Sequence, residues 1–144
     1  MKSIIHRLEL ETTHETELID ISGRIAELVA QSGVQDGVVF VLSMHTTTAI
    51  TVNEGLLDLE IDIANLLHKL APDSDSYRHS RYLPSDGQMA VNATSHLRSA
   101  LLGFQVFFPI EKGQMVKGAR HTIYFVELDG PQVRTYVVQI LGEP

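Results

Sequence analysis

Met44-His45-Thr46-Thr47-Thr48-Ala49-Ile50-Thr51-Val52-Asn53-Glu54 follows, after Ser43, on the apolar run Val38-Val39-Phe40-Val41-Leu42. The run reads as a buried strand. It breaks into one imidazole and three threonine hydroxyls, returns to a β-branched strand and ends on Asn-Glu. Burying such a cluster costs free energy unless each polar group finds a partner. The stretch is therefore either a satisfied polar network or a ligand site. In both cases it supplies two strands.

Upstream, residues 2–11 alternate, with Ile4, His6, Leu8 and Leu10 on one side, the period of a strand. Residues 12–16 read as a loop. Asp20 stands where a helix N-cap belongs, and Ile21, Ile25, Leu28 and Val29 share one helical face up to Ser32-Gly33. Gly37 opens the strand that leads to His45. Downstream, Thr47 to Asn53 makes the second strand and Gly55 breaks it. A long helix follows, with Leu56, Leu59, Ile63, Leu66, Leu67 and Leu70 on its apolar side, and Pro72 ends it. Residues 72–90 show no period and are longer than most connections. A helix is expected from about Ala90 to Leu102, closed by Gly103. Strands are then expected at Phe104–Ile110, Arg120–Leu128 and Val133–Leu141, with a short piece at Gln114–Gly118. Asp129-Gly130-Pro131 between the last two reads as a hairpin signal. This pattern predicts an α+β fold: a single compact domain over residues 1–144, a mostly antiparallel sheet and about three helices.

Composition narrows the function. Eleven Lys and Arg against 18 Asp and Glu leave a net charge of −7. Without a basic cluster, nucleic acid is not an expected partner. No apolar stretch reaches the ~18 residues of a membrane span. The start, Met1 to Arg7, has neither an apolar core nor a small-residue cleavage site, so no leader is expected and the cytoplasm is the expected compartment. The absence of cysteine removes disulfides, thiolate metal sites and cysteine nucleophiles. There is no phosphate-binding glycine loop and no Gly-x-Ser-x-Gly elbow, so covalent nucleophilic catalysis is not expected.

Five elements carry candidate chemistry, each with a plainer alternative. His45 is a metal ligand or general base, or a core histidine with both nitrogens bonded. The hydroxyls of Thr46 and Thr47 bind phosphate oxygens or hold the ring. Asn92, His96, Ser99 and Gly103 recur at steps of four, three and four, one face of a helix that lines a pocket or meets solvent. Glu54 is a carboxylate ligand or base, or a charge favouring the dipole of the next helix. Tyr77-Arg78-His79-Ser80-Arg81 is a phosphate-contacting loop or a solvated one. Arg120-His121 adds a cation and a third imidazole. Two or three histidines and a carboxylate from separate segments suit Zn²⁺ or a similar ion, although no pair has zinc-finger or His-Glu-x-x-His spacing.

A wider pattern joins these elements: His45-Thr46-Thr47, Thr51-Val52-Asn53-Glu54, Tyr77-x-His79, Asn92-Ala-x-Ser95-His96-Leu97, Ser99-x-Leu101-Leu102-Gly103, Pro109, Gly113, Gly118 and Glu127-x-Asp129-Gly130-Pro131. In order and spacing it resembles the YjbQ-type family, also called the secondary thiamine-phosphate synthase family. The resemblance implies an α+β domain that assembles as a homotrimer, with site residues at His45, Asn53, Glu54, Asn92, Ser95 and His96 and a divalent metal, Zn or Mg, held by histidine. It also implies weak thiamine-phosphate synthase activity, joining hydroxymethylpyrimidine pyrophosphate to a thiazole phosphate with release of pyrophosphate. On that footing His45, Glu54 and His96 are the catalytic candidates. Thr46, Thr47, Asn53, Asn92, Ser95 and Arg120 are the substrate-binding ones. His45, His96 and His121 are the metal ligands. The alternatives are a phosphorylated small-molecule or metal-binding module without turnover, and a metal-dependent phosphoester hydrolase. Gly118-Ala119-Arg120-His121 departs from the family's usual Gly-Thr-Trp-Gln and makes that edge more cationic.

Overall fold

A computed structural model of the chain describes residues 1–80, 82–83, 88–89 and 92–144. Arg81 and the expected helix start at Ala90 lie outside the described residues. The expected strand at the start is β1 (Lys2–Glu11), and Ile4, His6, Leu8 and Leu10 are its half-buried residues. A short strand, β2 (Glu17–Asp20), precedes helix α1 (Ser22–Ser32). Gly33 ends α1 in the left-handed conformation, φ 75°, as a C-terminal glycine does. The central stretch gives β3 (Asp36–Ser43) and β4 (Thr48–Glu54), and α2 (Leu57–Leu70) follows. A 3-10 turn at Arg78–Ser80 leads to the two-residue strands β5 (Tyr82–Leu83) and β6 (Gln88–Met89). Helix α3 (Ala93–Leu102) and strands β7 (Gln105–Glu111), β8 (Gln114–Met115), β9 (His121–Glu127) and β10 (Val133–Glu143) complete the order.

The main strands form two sheets, one ordered β1-β10-β3-β7-β8 and one ordered β2-β9-β4; β5 and β6 pair separately. Every described strand pair is antiparallel. The sheets face each other across the main core. Val39, Val41, Val138 and Ile140 lie on one side, Ile50, Ile123 and Phe125 on the other, with Ile25, Leu28 and Val29 of α1. The opposite face of the three-stranded sheet carries a second core, where Ala49, Tyr124 and Val126 meet Leu67 of α2 and Leu102 of α3. β9 is thus covered on both faces, which explains its unbroken apolar run. The fold is a compact α+β arrangement with three α-helices among the described residues. None of these is long and apolar enough to cross a membrane.

Three expectations change. Asp20 ends β2 rather than capping α1; its carboxylate accepts the Ser22 N–H at 2.9 Å, one residue before the helix entry at Ile21. The apolar side of α2 is only partly covered, since Leu67 is buried but Leu56, Leu66 and Leu70 are more than half exposed. Most consequentially, β9 and β10 are not a hairpin. β9 pairs with β2 and β4, while β10 pairs with β1 and β3. The connecting segment bonds to residues 12–15 instead of closing on itself: Thr12 N–H donates to Gln132 O at 2.9 Å and Gly130 N–H to Glu15 O at 3.1 Å. Gly130 is required there, because a Cβ would overlap His14 O and meet Glu127 Cγ at 2.7 Å.

Candidate functional site

The break after β3 has a backbone cause and a side-chain remedy. Ser43 is the last residue of β3 paired with β10, opposite Tyr136. One step on, Met44 N–H donates to Thr135 O at 3.2 Å, but the Thr135 N–H is met by the His45 ring, whose Nε2 accepts it at 2.9 Å. The imidazole substitutes for a strand carbonyl. Hydroxyls close the loop: Ser43 Oγ bonds Thr48 Oγ1 and accepts the His45 N–H at 3.2 Å, and Thr48 Oγ1 donates to His45 O at 3.3 Å. Because Nε2 accepts, the neutral ring carries its proton on Nδ1. Burial first, then the Arg134 guanidinium, hold His45 below its ordinary value of 6.5, with Glu127 opposing. His45 is therefore a neutral Nδ1–H donor.

Behind the loop lies an ion pair that joins the two sheets. Arg134 of β10 and Glu127 of β9 are 3% and 0% exposed. Arg134 donates to Glu127 from Nε at 2.8 Å and from a terminal nitrogen at 2.6 Å, and that nitrogen also reaches Thr47 Oγ1 at 2.9 Å. Glu127 further accepts Thr12 Oγ1–H at 2.7 Å and the N–H groups of Leu128 and Asp129 at 3.0 Å each. Burial pushes the Glu127 carboxyl up, but Arg134, Thr12 and the Asp129 N–H together outweigh it and hold it below 4.5. Such a pair is stable because its remaining lone pairs are filled.

The polar face of α3 divides its labour. Ser95 is buried and donates to Leu128 O at 2.6 Å; Ser99 donates to Thr48 O at 2.6 Å; Asn92 donates to Asp129 Oδ2 at 3.2 Å. These groups fasten the helix to the ends of β4 and β9. His96 instead lines a cavity of about 570 Å³ with Ser43, His45, Thr46, Ser99 and Phe104. The structure thus brings His45, Thr46 and His96 together. Thr47 and Ser95, expected to touch substrate, have their hydroxyls in the buried scaffold, and Asn92 holds Asp129.

Glu54, Asn53, Arg120 and His121 stand elsewhere. Thr48 pairs with Glu127 and Glu54 with His121, at opposite ends of β4, about 20 Å apart for six extended residues. There Arg120 bonds Glu54 at 3.2 Å in an exposed pair, Asn53 Oδ1 accepts the Glu54 N–H at 2.8 Å, and His121 Nδ1 accepts the Gly118 N–H at 3.1 Å. The three imidazoles expected to hold a metal do not converge within one chain. Among the described residues no three His, Asp or Glu side chains are grouped to bind an ion. His45 as placed offers no lone pair, because Nε2 is engaged and Nδ1 is protonated. A resident three-ligand ion does not fit this donor set. Arg134, Thr135 and Ser43 are site-building residues that composition and spacing missed; the available signal was a lone arginine inside the apolar strand 133–141.

Comparison with known proteins agrees with this architecture. Residues 6–143 match the family described as UPF0047 protein YjbQ-like. A UPF0047 protein of Archaeoglobus fulgidus is 37% identical over 134 residues, covering 93% of this chain and 98% of its own. One from Methanothermobacter thermautotrophicus is 36% identical over 144 residues, 100% of this chain and 96% of its own. Among solved structures, a YbjQ-like protein of unknown function from Sulfolobus solfataricus superposes with a TM-score of 0.90 at 32% identity, covering 99% of both chains. A YjbQ/UPF0047 protein from Clostridium acetobutylicum gives 0.83 at 34%, covering 94% of this chain and 99% of its own. The chain belongs to the YjbQ (UPF0047) family.

Proposed function

We propose that the cavity between the β3–β4 loop and α3 binds phosphorylated small molecules and acts as a thiamine-phosphate synthase of low turnover. The observation that carries this reading is the locked His45 ring. An imidazole held neutral, with Nδ1–H as its donor beside the Thr46 hydroxyl and His96, suits the oxygens of an anionic ligand. In the reaction, the thiazole nitrogen lone pair forms a bond to the methylene carbon of the pyrimidine. The C–O bond breaks and its electron pair leaves with pyrophosphate. His45 donates a hydrogen bond to the departing oxygens, and His96 is the imidazole that moves a proton to them. A divalent ion carried on the substrate's own oxygens would supply charge neutralisation, and no residue of this chain is needed to hold it.

The test is thiamine phosphate formation by the pure protein and by His96→Ala. The variant is expected to lose about 10²- to 10⁴-fold in kcat. Equal rates would remove His96 from the chemistry. A binding module without turnover is the second reading, favoured by the commitment of His45 Nε2 to Thr135, which leaves one imidazole for proton transfer. Calorimetric binding of the thiazole phosphate with no product under any condition selects it.

The working unit in this reading is a homotrimer. Its support is the partly covered apolar side of α2, where Leu66 and Leu70, with Leu56 just before the helix, are more than half exposed. Exposed apolar side chains on one helix face mark a contact with another chain.

A further inference from the structure

His96 borders two cavities. Beside the one it shares with His45 lies a second space of about 400 Å³, lined among the described residues by Tyr77, Arg78, His79, Ala93, His96 and Leu97. Its size is in the ordinary range of ligand pockets, roughly 300 to 1,000 Å³. It sits between the 3-10 turn at Arg78–Ser80 and helix α3, and almost all of the surface it presents is apolar. Tyr77 donates its hydroxyl to Pro72 O at 2.7 Å, so its polar tip is already engaged. The His79 ring meets the His96 ring at right angles, 4.9 Å between centroids and 89° between planes. Ala93 and Leu97, one turn apart on α3, add an aliphatic wall.

Such a lining selects against charge. A charged group entering it sheds water and meets carbon surface in exchange. A flat uncharged ring pays no such cost and packs against Tyr77, His79 and His96 edge-to-face or offset, the arrangements that aromatic rings prefer. Apolar cavities hold no tightly bound water and take hydrocarbon ligands for that reason. We infer that the second cavity is a binding site for a small uncharged aromatic molecule. The site is separate from the chemistry proposed for the first cavity: its ligand carries no phosphate, and it stands or falls whether or not the first cavity turns a substrate over. It gives a role to Tyr77 and His79, which the first cavity leaves unused. Because His96 lines both spaces, a ring bound in the second lies against the imidazole that works in the first.

The probes are benzyl alcohol and benzoate, which share a ring and differ in charge. Each is titrated alone into the protein and followed by NMR on methyl and imidazole signals. Benzyl alcohol is expected to bind with a Kd of about 1 mM or tighter, and benzoate about tenfold more weakly or worse. The signals of Ala93, Leu97 and His79 should move with benzyl alcohol, and that of Met44, in the first cavity, should not. Two exposed positions on α3 separate the cavities further: Leu97 borders only the second of the two and Ala100 only the first. Leu97→Trp is expected to weaken benzyl alcohol by about tenfold or more and Ala100→Trp to leave it within about twofold, with thermal melts confirming that both variants fold. The site is overturned if benzoate binds as tightly as benzyl alcohol, or if Leu97→Trp leaves benzyl alcohol binding unchanged. It is also overturned if benzyl alcohol at about 10 mM moves none of the three signals. If, in that last case, Leu97→Asp also lowers the mass of the particle in solution, the occupant is a side chain of a second copy and not a free ligand.

Discussion

At His45 a side chain completes a backbone ladder, and that arrangement has a pH signature. The unfolded ring takes up a proton near its ordinary 6.5; the folded ring, desolvated and facing Arg134, does so only at lower pH. The unfolded state therefore binds more protons in between. The contribution of His45 to stability is complete above about 6.5 and is lost as the pH falls from there through the folded value. Glu127 behaves alike in a lower window, below its ordinary 4.5. Nitrogen-15 NMR should find His45 in the Nδ1–H form at pH 6.5 and still neutral below it, while urea titrations show stability declining in these two windows. A His45 ring that is half protonated at 6.5 would contradict the hydrogen bond from Thr135. The Glu127–Arg134 pair behind it is open to a second test. Glu127→Gln leaves a buried guanidinium without its counter-charge and is expected to cost about 3–5 kcal/mol. Adding Arg134→Met should recover part of that loss. Recovery should be incomplete, because Thr47 Oγ1 also loses its donor. A double variant as unstable as the sum of the two single changes would show that the pair does not act as a unit.

At the scale of elements, α3 is held by hydroxyls more than by bulk. Ser95→Ala leaves the buried Leu128 carbonyl without its donor, so a loss of about 1–3 kcal/mol in urea unfolding is expected. A loss within error would mean that water replaces the hydroxyl. The same serine shows where sequence reading reaches its limit. The spacing of His96 and Ser99 placed them on one helix face, with Asn92 just before the helix, but spacing does not say whether a polar face meets a ligand or a strand end. His45 was legible because a polar break in an apolar run needs an explanation. Glu54 and His121 were drawn into the same site because their residue types suit it, and a one-dimensional pattern carries no measure of the length of β4. Strand β1, the stop at Gly33 and the end of α2 before Pro72 were readable from local rules. β2 was not, since four residues at the sheet's edge leave no full period. The Asp129-Gly130-Pro131 signal was read correctly as a turn and wrongly as a hairpin, because turn chemistry is local and the choice of sheet partner is made by the loop at residues 12–15.

For the molecule as a whole, the partly covered side of α2 leads to an expectation about mass. Light scattering on the eluting protein should give three times the 16.0 kDa of one chain, and Leu66→Asp, at an exposed position on that side, should shift it toward the monomer. A wild-type mass of one chain at micromolar concentration would rule out the assembly.

The switch of sheets between β9 and β10 bears on how the molecule comes into being. β9 is the strand that joins β2 to β4, and β10 is the strand through which β1 reaches β3. Both central partners lie in residues 121–143. A nascent chain leaving the ribosome therefore exposes β1 to β4 as strands without their neighbours, and neither layer closes until that segment has been made. Folding is expected to be a single late event, with the Arg134–Glu127 contact formed only when the two layers come together.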